Sequence, residues 1–424
     1  MDITPKGWRA MKILIASFRG IPHVDGLNTY VEHLKTGLER QGHQADILCP
    51  TPDESGFGIY PHNRVLEKEK FLPFISSQSN RYFDNHLPGL DPWIRQCEVE
   101  RYGFELAALL LDISEYDIIH AQDIVTAYAL SRIKPPGMPL VTTIHGCLAL
   151  ESFRNLKVMG LDAPERGPAL WAYSALMERL GASCARRTIM PTRWLQDLMI
   201  REFGVHPDQL IVSPNGMDVE AFIRQMAAPT DWAPPQGKKV IICPARLNAV
   251  KGHVFLLQAL HSLKAIRQDW VCWLVGDGEA ETELRDMTAA LGLSEQVFFL
   301  GRRQDAAALM RQADLFVLPS LQDNHPVSVM EAQIAGKLVI VSNAGGIPEM
   351  VQHGVTGLVS EAGRSEQLLH HLRLGLDNDA FRQQVGAQAQ AWGRAHWSLE
   401  AMTGRVLDIY HSAAGMDEEA RHLR

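Results

Sequence analysis

Short apolar runs alternate along the chain with longer segments in which apolar residues recur every three or four positions. The runs have the length of buried strands, and the amphipathic segments are typical of helices that cover a sheet. This alternation indicates an α/β protein with parallel sheets. The predicted strands are Met11–Ser17, Ala45–Cys49, Asp117–His120, Leu140–Ile144, Thr188–Pro191 and Leu210–Ser213 in the first half, and Lys239–Cys243, Val271–Val275, Val297–Leu300, Leu315–Leu318 and Val339–Val341 in the second.

A proline-rich stretch separates these two sets of strands. Three prolines and one glycine fall between Ala227 and Gly237, a composition typical of a linker. We therefore predict one Rossmann-like domain over residues 10–226, a second over 238–385, and a C-terminal helical segment over 386–424. Ligands of open α/β sheets bind beyond the carboxyl ends of the strands, so two such domains facing one another would form a cleft suited to a small molecule.

The stretch from residue 318 to residue 350 carries the clearest chemical signal. A strand ends in a polar turn, and a helix is predicted over Val327–Ala335, with Pro326 just before it and Gly336 just after it. Proline suits the start of a helix, and glycine suits its left-handed C-terminal cap. The unpaired N–H groups at the start of such a helix favour an anion such as phosphate.

Two carboxylates stand in this stretch, Asp323 in the turn and Glu331 in the helix. With the sequence G-G-I-P-E at 345–349, they make the region resemble the nucleotide-sugar half of retaining glycosyltransferases of family 4, which have the two-domain GT-B fold. The resemblance implies that Glu331 accepts hydrogen bonds from the ribose and that Asp323 helps to place the donor sugar. The family has glutamate at both positions, so Asp323 is a departure, and a turn-capping role is its alternative.

Two basic residues follow the first predicted strand of the second domain. They lie in R-L-N-A-V-K-G, which resembles the family's R-L-x-x-x-K-G. Arg246 offers a planar fork to phosphate oxygens, and Lys251 offers a compact point charge. A positive charge at the start of a helix opposes the helix dipole, so an anionic partner would account for it. We expect both side chains to neutralise a departing nucleoside diphosphate.

The resemblance extends the donor site along the second domain. A glycine loop after the second strand of this domain includes Gly278, and Arg302 lies where the family places backbone groups against the nucleobase. The turn after Asp323 supplies His325 and backbone N–H groups for sugar hydroxyls and phosphate. The predicted donor-binding residues are Gly26, Arg246, Lys251, Gly278, Arg302, Asp323, His325, Pro326, Val327, Ser328 and Glu331.

Two positions of the first domain complete the prediction. Gly26 precedes a helix predicted over 28–41 and would let the backbone approach the diphosphate, although the family has Gly-Gly where this chain has Asp25-Gly26. His145 ends a strand where the family has a histidine beside the donor sugar, and its imidazole can hydrogen-bond a hydroxyl. His120 also ends a strand, and we assign it a structural role. The predicted catalytic set is His145, Asp323, Arg246 and Lys251.

The composition mainly excludes certain partners and kinds of site. The net charge of −8 is spread along the chain, which argues against a nucleic-acid partner. No apolar run approaches the ~20 residues that span a membrane. Neither C-x-x-C nor a strand-terminal D-x-D occurs, so we expect no metal and no other cofactor. The six cysteines are isolated from one another, which favours a cytoplasmic location. Contact with the inner face of the membrane remains an open alternative.

The expected function is retaining, metal-independent transfer of a hexose-type sugar from a nucleotide diphosphate sugar to an acceptor hydroxyl. We expect a UDP-sugar first, with GDP- and ADP-sugars as alternatives. The other readings are a glycosidase using the acid pair, a disaccharide phosphorylase of the GT-B fold, and a degenerate nucleotide-sugar-binding protein without turnover.

The sequence does not identify the acceptor molecule. We assign the irregular stretch from residue 57 to residue 90 to the acceptor side. Its aromatic residues suit a sugar-stacking or lipid-facing surface, and core packing is the equal alternative; they are Phe71, Phe74, Tyr82 and Phe83.

Overall fold

The computed structural model describes residues 9–20, 26–62, 64–151 and 167–415. The chain divides into two compact units. The first comprises residues 1–214 together with 402–424, and the second comprises residues 215–401. Each unit has its own β-sheet and its own hydrophobic core.

An eight-stranded sheet forms the centre of the first unit. Its strands are β1 (Lys12–Ala16), β2 (Gln44–Pro50), β3 (Gly56–Tyr60), β4 (Arg64–Glu67), β5 (Ile118–Ala121), β6 (Leu140–Thr143), β7 (Arg187–Met190) and β8 (Leu210–Val212). Their order is β4-β3-β2-β1-β5-β6-β7-β8. The pairs β2 with β3 and β3 with β4 are antiparallel, and the other pairs are parallel. Two strands that were not predicted, β3 and β4, thus add an antiparallel edge to the expected parallel sheet.

Helices cover the first sheet. They are α1 (Gly26–Arg40), α2 (Leu72–His86), α3 (Pro92–Leu110), α4 (Ile124–Ile133), α5 (Gly167–Ser183) and α6 (Arg193–Phe203). The apolar stripe of α1 buries Tyr30, Val31, Leu34 and Leu38. In the stretch assigned to the acceptor side, the aromatic residues divide: Phe71 and Phe83 are buried, whereas Phe74 and Tyr82 are 64% and 56% exposed.

A six-stranded, wholly parallel sheet forms the centre of the second unit. Its strands are β9 (Lys239–Pro244), β10 (Trp270–Val275), β11 (Val297–Phe299), β12 (Leu315–Leu318), β13 (Leu338–Ser342) and β14 (Leu358–Ser360), in the order β11-β10-β9-β12-β13-β14. Its helices are α7 (Val219–Met226), α8 (His253–Lys264), α9 (Glu281–Ala290), α10 (Ala306–Gln312), α11 (Val327–Ile334), α12 (Ser365–Asp377) and α13 (Asp379–His396).

The boundary between the units lies nearer the N-terminus than the proline-rich stretch. Phe222 and Met226 of α7 are buried in the core of the second unit, so this helix does not belong to the first. Trp232, within the predicted linker, packs edge-on against Phe298 with ring centroids 5.9 Å apart. The division between the two compact units, at 214/215, thus precedes the predicted boundary at 226–238.

The last described helix, α14 (Leu399–Ala414), follows α13 after a break at Trp397. From Met402 onwards its residues group with the first unit. Its residues Val406, Leu407 and Tyr410 are almost completely buried. The first unit is thus made of two stretches of sequence, with the second unit between them.

Candidate active site

The order of the second sheet fixes where its candidate residues meet. β9 and β12 are neighbours, and the strand order reverses between them. Where the strand order reverses, the loops that follow the two neighbouring strands run to opposite sides of the sheet. A crevice that can bind a ligand forms between these loops, beyond the carboxyl ends of the strands. Arg246 and Lys251 follow β9, and Asp323 follows β12. Lys251 and Asp323, 72 positions apart in sequence, therefore come together.

Lys251 and Asp323 form an ion pair, with 2.5 Å between Nζ and Oδ2. Both side chains are largely buried, at 22% and 14% exposure. The same Oδ2 accepts a hydrogen bond from Ser320 Oγ at 3.1 Å, and Oδ1 accepts one from the Asn324 N–H at 3.1 Å. The sequence led us to assign Lys251 to phosphate and Asp323 to sugar as separate groups. In the structure the two charges are directly coupled, and the Ser320 contact had no sequence signal.

Neighbouring loops hold the Asp323 turn in place. The Leu321 N–H donates to the Val250 carbonyl at 2.7 Å, which ties the turn to the loop after β9. On the other side, Gly346 N–H donates to the Asp323 carbonyl at 3.1 Å. Gly345 adopts φ +57°, and a Cβ there would lie 1.9 Å from the same carbonyl oxygen. The close approach explains why glycine is needed at that position.

Arg246 and Arg302 are exposed beyond the carboxyl ends of β9 and β11. Within the described ranges no hydrogen bond or ion pair occupies either guanidinium, whereas Arg303 is paired with Asp231 and Asp305. The loop containing Gly278 packs on the Arg246 loop, because the Leu247 N–H donates to the Asp277 carbonyl at 2.8 Å. Arg246 is thus a cation on an anchored loop.

Helix α11 begins at Val327 with Pro326 as its N-cap, and no side chain of the described residues caps this end. Pro326, Val327 and Ser328 are partly exposed there. Gly336 takes φ +68° just after the helix, which confirms the predicted left-handed cap. The first turn therefore keeps N–H donors that an anion could use.

Glu331 lies one turn into α11 and is partly buried. Burial raises the pKa of its carboxyl group to about 7. In the part of the chain that the structure describes, no side chain donates a hydrogen bond to this carboxylate. A partly buried acceptor without a protein donor suits a ligand that brings hydroxyl groups.

His325 is buried, and its ring meets the indole of Trp397 edge-on with centroids 5.0 Å apart. Trp397 is itself fixed, because its Nε1 donates to Gln333 Oε1 at 2.6 Å. His325 was predicted from its place beside Asp323. The support from Trp397, more than 70 residues later, could not be predicted from the local sequence.

The first unit carries the two remaining candidates. Gly26 is the exposed first residue of α1, and Asp25 lies outside the described residues. His145 is partly exposed just beyond the carboxyl end of β6. Its Nε2 lies 3.2 Å from Gln122 Oε1, and its ring packs edge-on against Tyr30 with centroids 4.7 Å apart. Gln122 was not among the predicted residues.

The residues that the structure describes contain no group of three or more His, Cys, Asp or Glu side chains placed to hold a metal ion. Across the same ranges, no helix combines the length and apolarity needed to cross a membrane.

Comparison with known families gives two matches that together span both units. The family described as Glycosyltransferase Family 4 matches residues 24–221, and that described as Glycosyl transferases group 1 matches residues 226–392. The chain is 25% identical over 416 residues to a D-inositol 3-phosphate glycosyltransferase of Pseudarthrobacter chlorophenolicus, covering 94% of this chain and 92% of that protein.

Solved structures share the fold at lower identity. HepE of Anabaena in complex with UDP-glucose superposes with a TM-score of 0.65 at 22% identity, covering 95% of this chain and 100% of the other. Sucrose-phosphate synthase of Thermosynechococcus elongatus gives a TM-score of 0.72 at 18% identity, with 95% and 98% coverage. Both halves of the chain match these families, and nearly its whole length aligns with these relatives. The chain therefore belongs to the glycosyltransferases of family 4 and has the GT-B fold.

Proposed function

We propose that this glycosyltransferase moves a hexose-type sugar from a nucleoside diphosphate sugar to an acceptor hydroxyl, with retention of anomeric configuration and without a metal ion. The observation that carries the proposal is the arrangement at the carboxyl ends of β9 and β12. The loops and helix there carry the coupled Lys251–Asp323 pair, an exposed guanidinium, and, among the described residues, a helix start without a side-chain cap and a carboxylate without a side-chain donor.

The diphosphate is the leaving group, and positive charge stabilises it. Arg246 binds phosphate oxygens as a fork, Lys251 adds a point charge, and the first turn of α11 adds backbone donors. Lys251 has three N–H donors, so it can keep Asp323 and still reach a phosphate oxygen. In this way the ion pair holds the ammonium in place before the donor arrives.

The remaining residues orient the rest of the donor. Glu331 accepts hydrogen bonds from the ribose hydroxyls, and Asp323, held by Ser320 and Lys251, faces the sugar. His145 hydrogen-bonds a sugar hydroxyl. The acceptor attacks on the face from which the diphosphate departs, and the phosphate takes the acceptor's proton.

A UDP-sugar is the first choice of donor, because the similar HepE has been solved with UDP and with UDP-glucose. GDP-sugars remain the alternative, since the chain is also 34% identical over 226 residues to a GDP-mannose-dependent mannosyltransferase of Corynebacterium glutamicum, covering 50% of this chain and 58% of that protein. The six cysteines are free thiols, which supports a cytoplasmic location.

The test is a thermal-shift screen of UDP-, GDP- and ADP-sugars followed by single-turnover reactions with the donors that bind. We expect stabilisation by one nucleotide class, release of its diphosphate, unchanged rates in EDTA and a product with the donor's anomeric configuration. Sugar release that depends on inorganic phosphate instead would identify a phosphorylase. Binding without any turnover would identify a non-catalytic protein.

A further inference from the structure

His120 is the buried centre of a polar network in the first unit. At the end of β5 its Nδ1 lies 2.7 Å from Tyr410 Oη, and its Nε2 lies 2.7 Å from Thr143 Oγ1. All three side chains are fully buried. Burial, and secondarily the nearby His145, lower the pKa of His120 to about 3. The imidazole is therefore neutral, with one nitrogen donating and the other accepting.

Tyr30 of α1 lies beside this network. Burial raises the pKa of its phenol to about 12, and the neighbouring Thr143 hydroxyl partly offsets this rise. The Thr143 hydroxyl is therefore close to both the His120 imidazole and the Tyr30 phenol.

The network reaches His145 from two sides. The Tyr30 ring packs against the imidazole at 4.7 Å between centroids, with 67° between the planes. Gln122 Nε2 donates to the His120 carbonyl at 3.4 Å, which turns its Oε1 toward His145 Nε2. An amide oxygen only accepts, so His145 carries a proton on Nε2, and in the neutral ring Nδ1 holds the lone pair. Two side chains next to the network, Tyr30 and Gln122, thus contact the His145 imidazole and help to orient it.

We propose that Tyr410 and His120 are positioning residues that hold the His145 imidazole in the orientation needed for sugar transfer. Through Tyr410, helix α14 near the C-terminal end of the sequence would then determine this orientation. The inference rests on the proposed function, because it takes His145 to bind the donor sugar. Core packing alone would not require a hydroxyl at position 410, since phenylalanine fills the same ring volume.

The first experiment compares Tyr410→Phe with Tyr116→Phe in steady-state kinetics. Tyr116 is a matched control: it is buried in the same unit, and its hydroxyl donates to Asp46 Oδ2 at 2.9 Å, away from His145. We expect Tyr410→Phe to lower kcat about 10-fold with the donor KM changed less than about 2-fold, and Tyr116→Phe to change neither. Equal kcat in Tyr410→Phe and wild type would overturn the proposal.

The second experiment does not depend on activity. In protein with ¹⁵N-labelled histidine, assigned through His145→Gln, wild-type His145 should show the Nε2–H tautomer. Tyr410→Phe and Thr143→Val should give mixed tautomers, whereas Thr143→Ser, which keeps the hydroxyl, should retain the wild-type spectrum. An unchanged His145 signal in both disrupting variants would refute the coupling even if the enzyme is active. A changed signal in a protein without transferase activity would preserve the coupling and refute the proposed function.

Discussion

At the scale of single residues, the ion pair between Lys251 and Asp323 means that neither charge can be removed without affecting the other. Asp323→Asn keeps the shape of the side chain and removes its charge. We expect turnover to fall at least ~100-fold, about 2.7 kcal/mol of barrier, because both the sugar-facing carboxylate and the anchor of Lys251 are lost. Free nucleoside diphosphate should bind more tightly, by about 1 kcal/mol, since a negative charge near the phosphates is gone.

Asp323→Glu is the matched variant, because it restores both the charge and the usual family residue. It should retain substantial activity in the same assay. Full activity in Asp323→Asn would reduce this residue to a turn cap, and weaker nucleotide binding would show that Lys251 needs its partner to reach the phosphates.

Arg246 tests the phosphate assignment separately, because it has no protein partner to lose within the described ranges. Arg246→Ala should weaken binding of the free nucleoside diphosphate by about 1.5–3 kcal/mol in calorimetry. Arg285→Ala removes the same charge from an exposed pair with Glu281 and should leave the affinity unchanged. If both variants bind like wild type, Arg246 does not contact phosphate.

Glu331 should make both stability and binding depend on pH. Its folded pKa of about 7 lies above the ordinary value of 4.5, so its contribution to stability is present below pH 4.5 and is lost as the pH rises through 7. Relative to wild type, Glu331→Gln should therefore gain up to about 3 kcal/mol of unfolding free energy between pH 4.5 and pH 8, measured by denaturant titration.

Hydroxyl donors favour the ionised carboxylate, so nucleotide affinity should rise with pH through 7 in wild type and stay flat in Glu331→Gln. The control is Glu178, a buried carboxyl group of the first unit whose pKa is also raised to about 7 by burial. Glu178→Gln should change the pH dependence of stability but not that of nucleotide affinity. The same effect on affinity in both variants would remove Glu331 from the site.

At the residue scale, motifs supply both residue type and spacing, and they led to Lys251 and Asp323. The structure pairs these two residues because parallel strands bring their loops to one edge of the sheet, whereas the roles assigned to them stay predictions. Ser320, Gln122 and Trp397 were not predicted, since a common residue type outside a motif gives no signal of the side chain it will contact.

At the scale of elements, the contact of Gly345 with the Asp323 turn can be isolated by substitution. Gly345→Ala places a methyl group against the Asp323 carbonyl, so it should displace the turn and lower turnover as well as stability. Gly354 also has a positive φ, at +77°, but a Cβ there meets nothing within 4 Å. Gly354→Ala should cost about 1–2 kcal/mol of unfolding free energy from backbone strain alone and leave turnover unchanged.

Buried strands were the elements best predicted, and β12 was placed at its observed bounds. β3 and β4 were missed because neither forms an apolar run: glycines interrupt β3 (G-F-G-I-Y), and charged residues begin and end the short edge strand β4 (R-V-L-E). The C-terminal segment over 386–424 was expected to be helical, and it contains the end of α13 and the whole of α14. The break between the two helices at Trp397, whose indole N–H donates to Gln333, was not predicted.

At the scale of the whole molecule, the grouping of α14 with the first unit predicts what a truncation would do. A chain ending at Ala401 lacks Val406, Leu407 and Tyr410, each at most 1% exposed. The core of the first unit should open, while the second unit, residues 215–401, keeps all its strands. Limited proteolysis should therefore cut the truncated protein first within residues 9–214, and an unchanged digestion pattern would contradict this division.

The same discontinuity has a consequence for synthesis. A ribosome completes the second unit as one uninterrupted stretch before it has made the residues that finish the first. Until α14 emerges, His120 lacks the hydroxyl of Tyr410, and the apolar residues that cover α14 stay exposed to water. The half of the enzyme translated first is thus the half whose folding finishes last, and during that interval it is the part most in need of a chaperone.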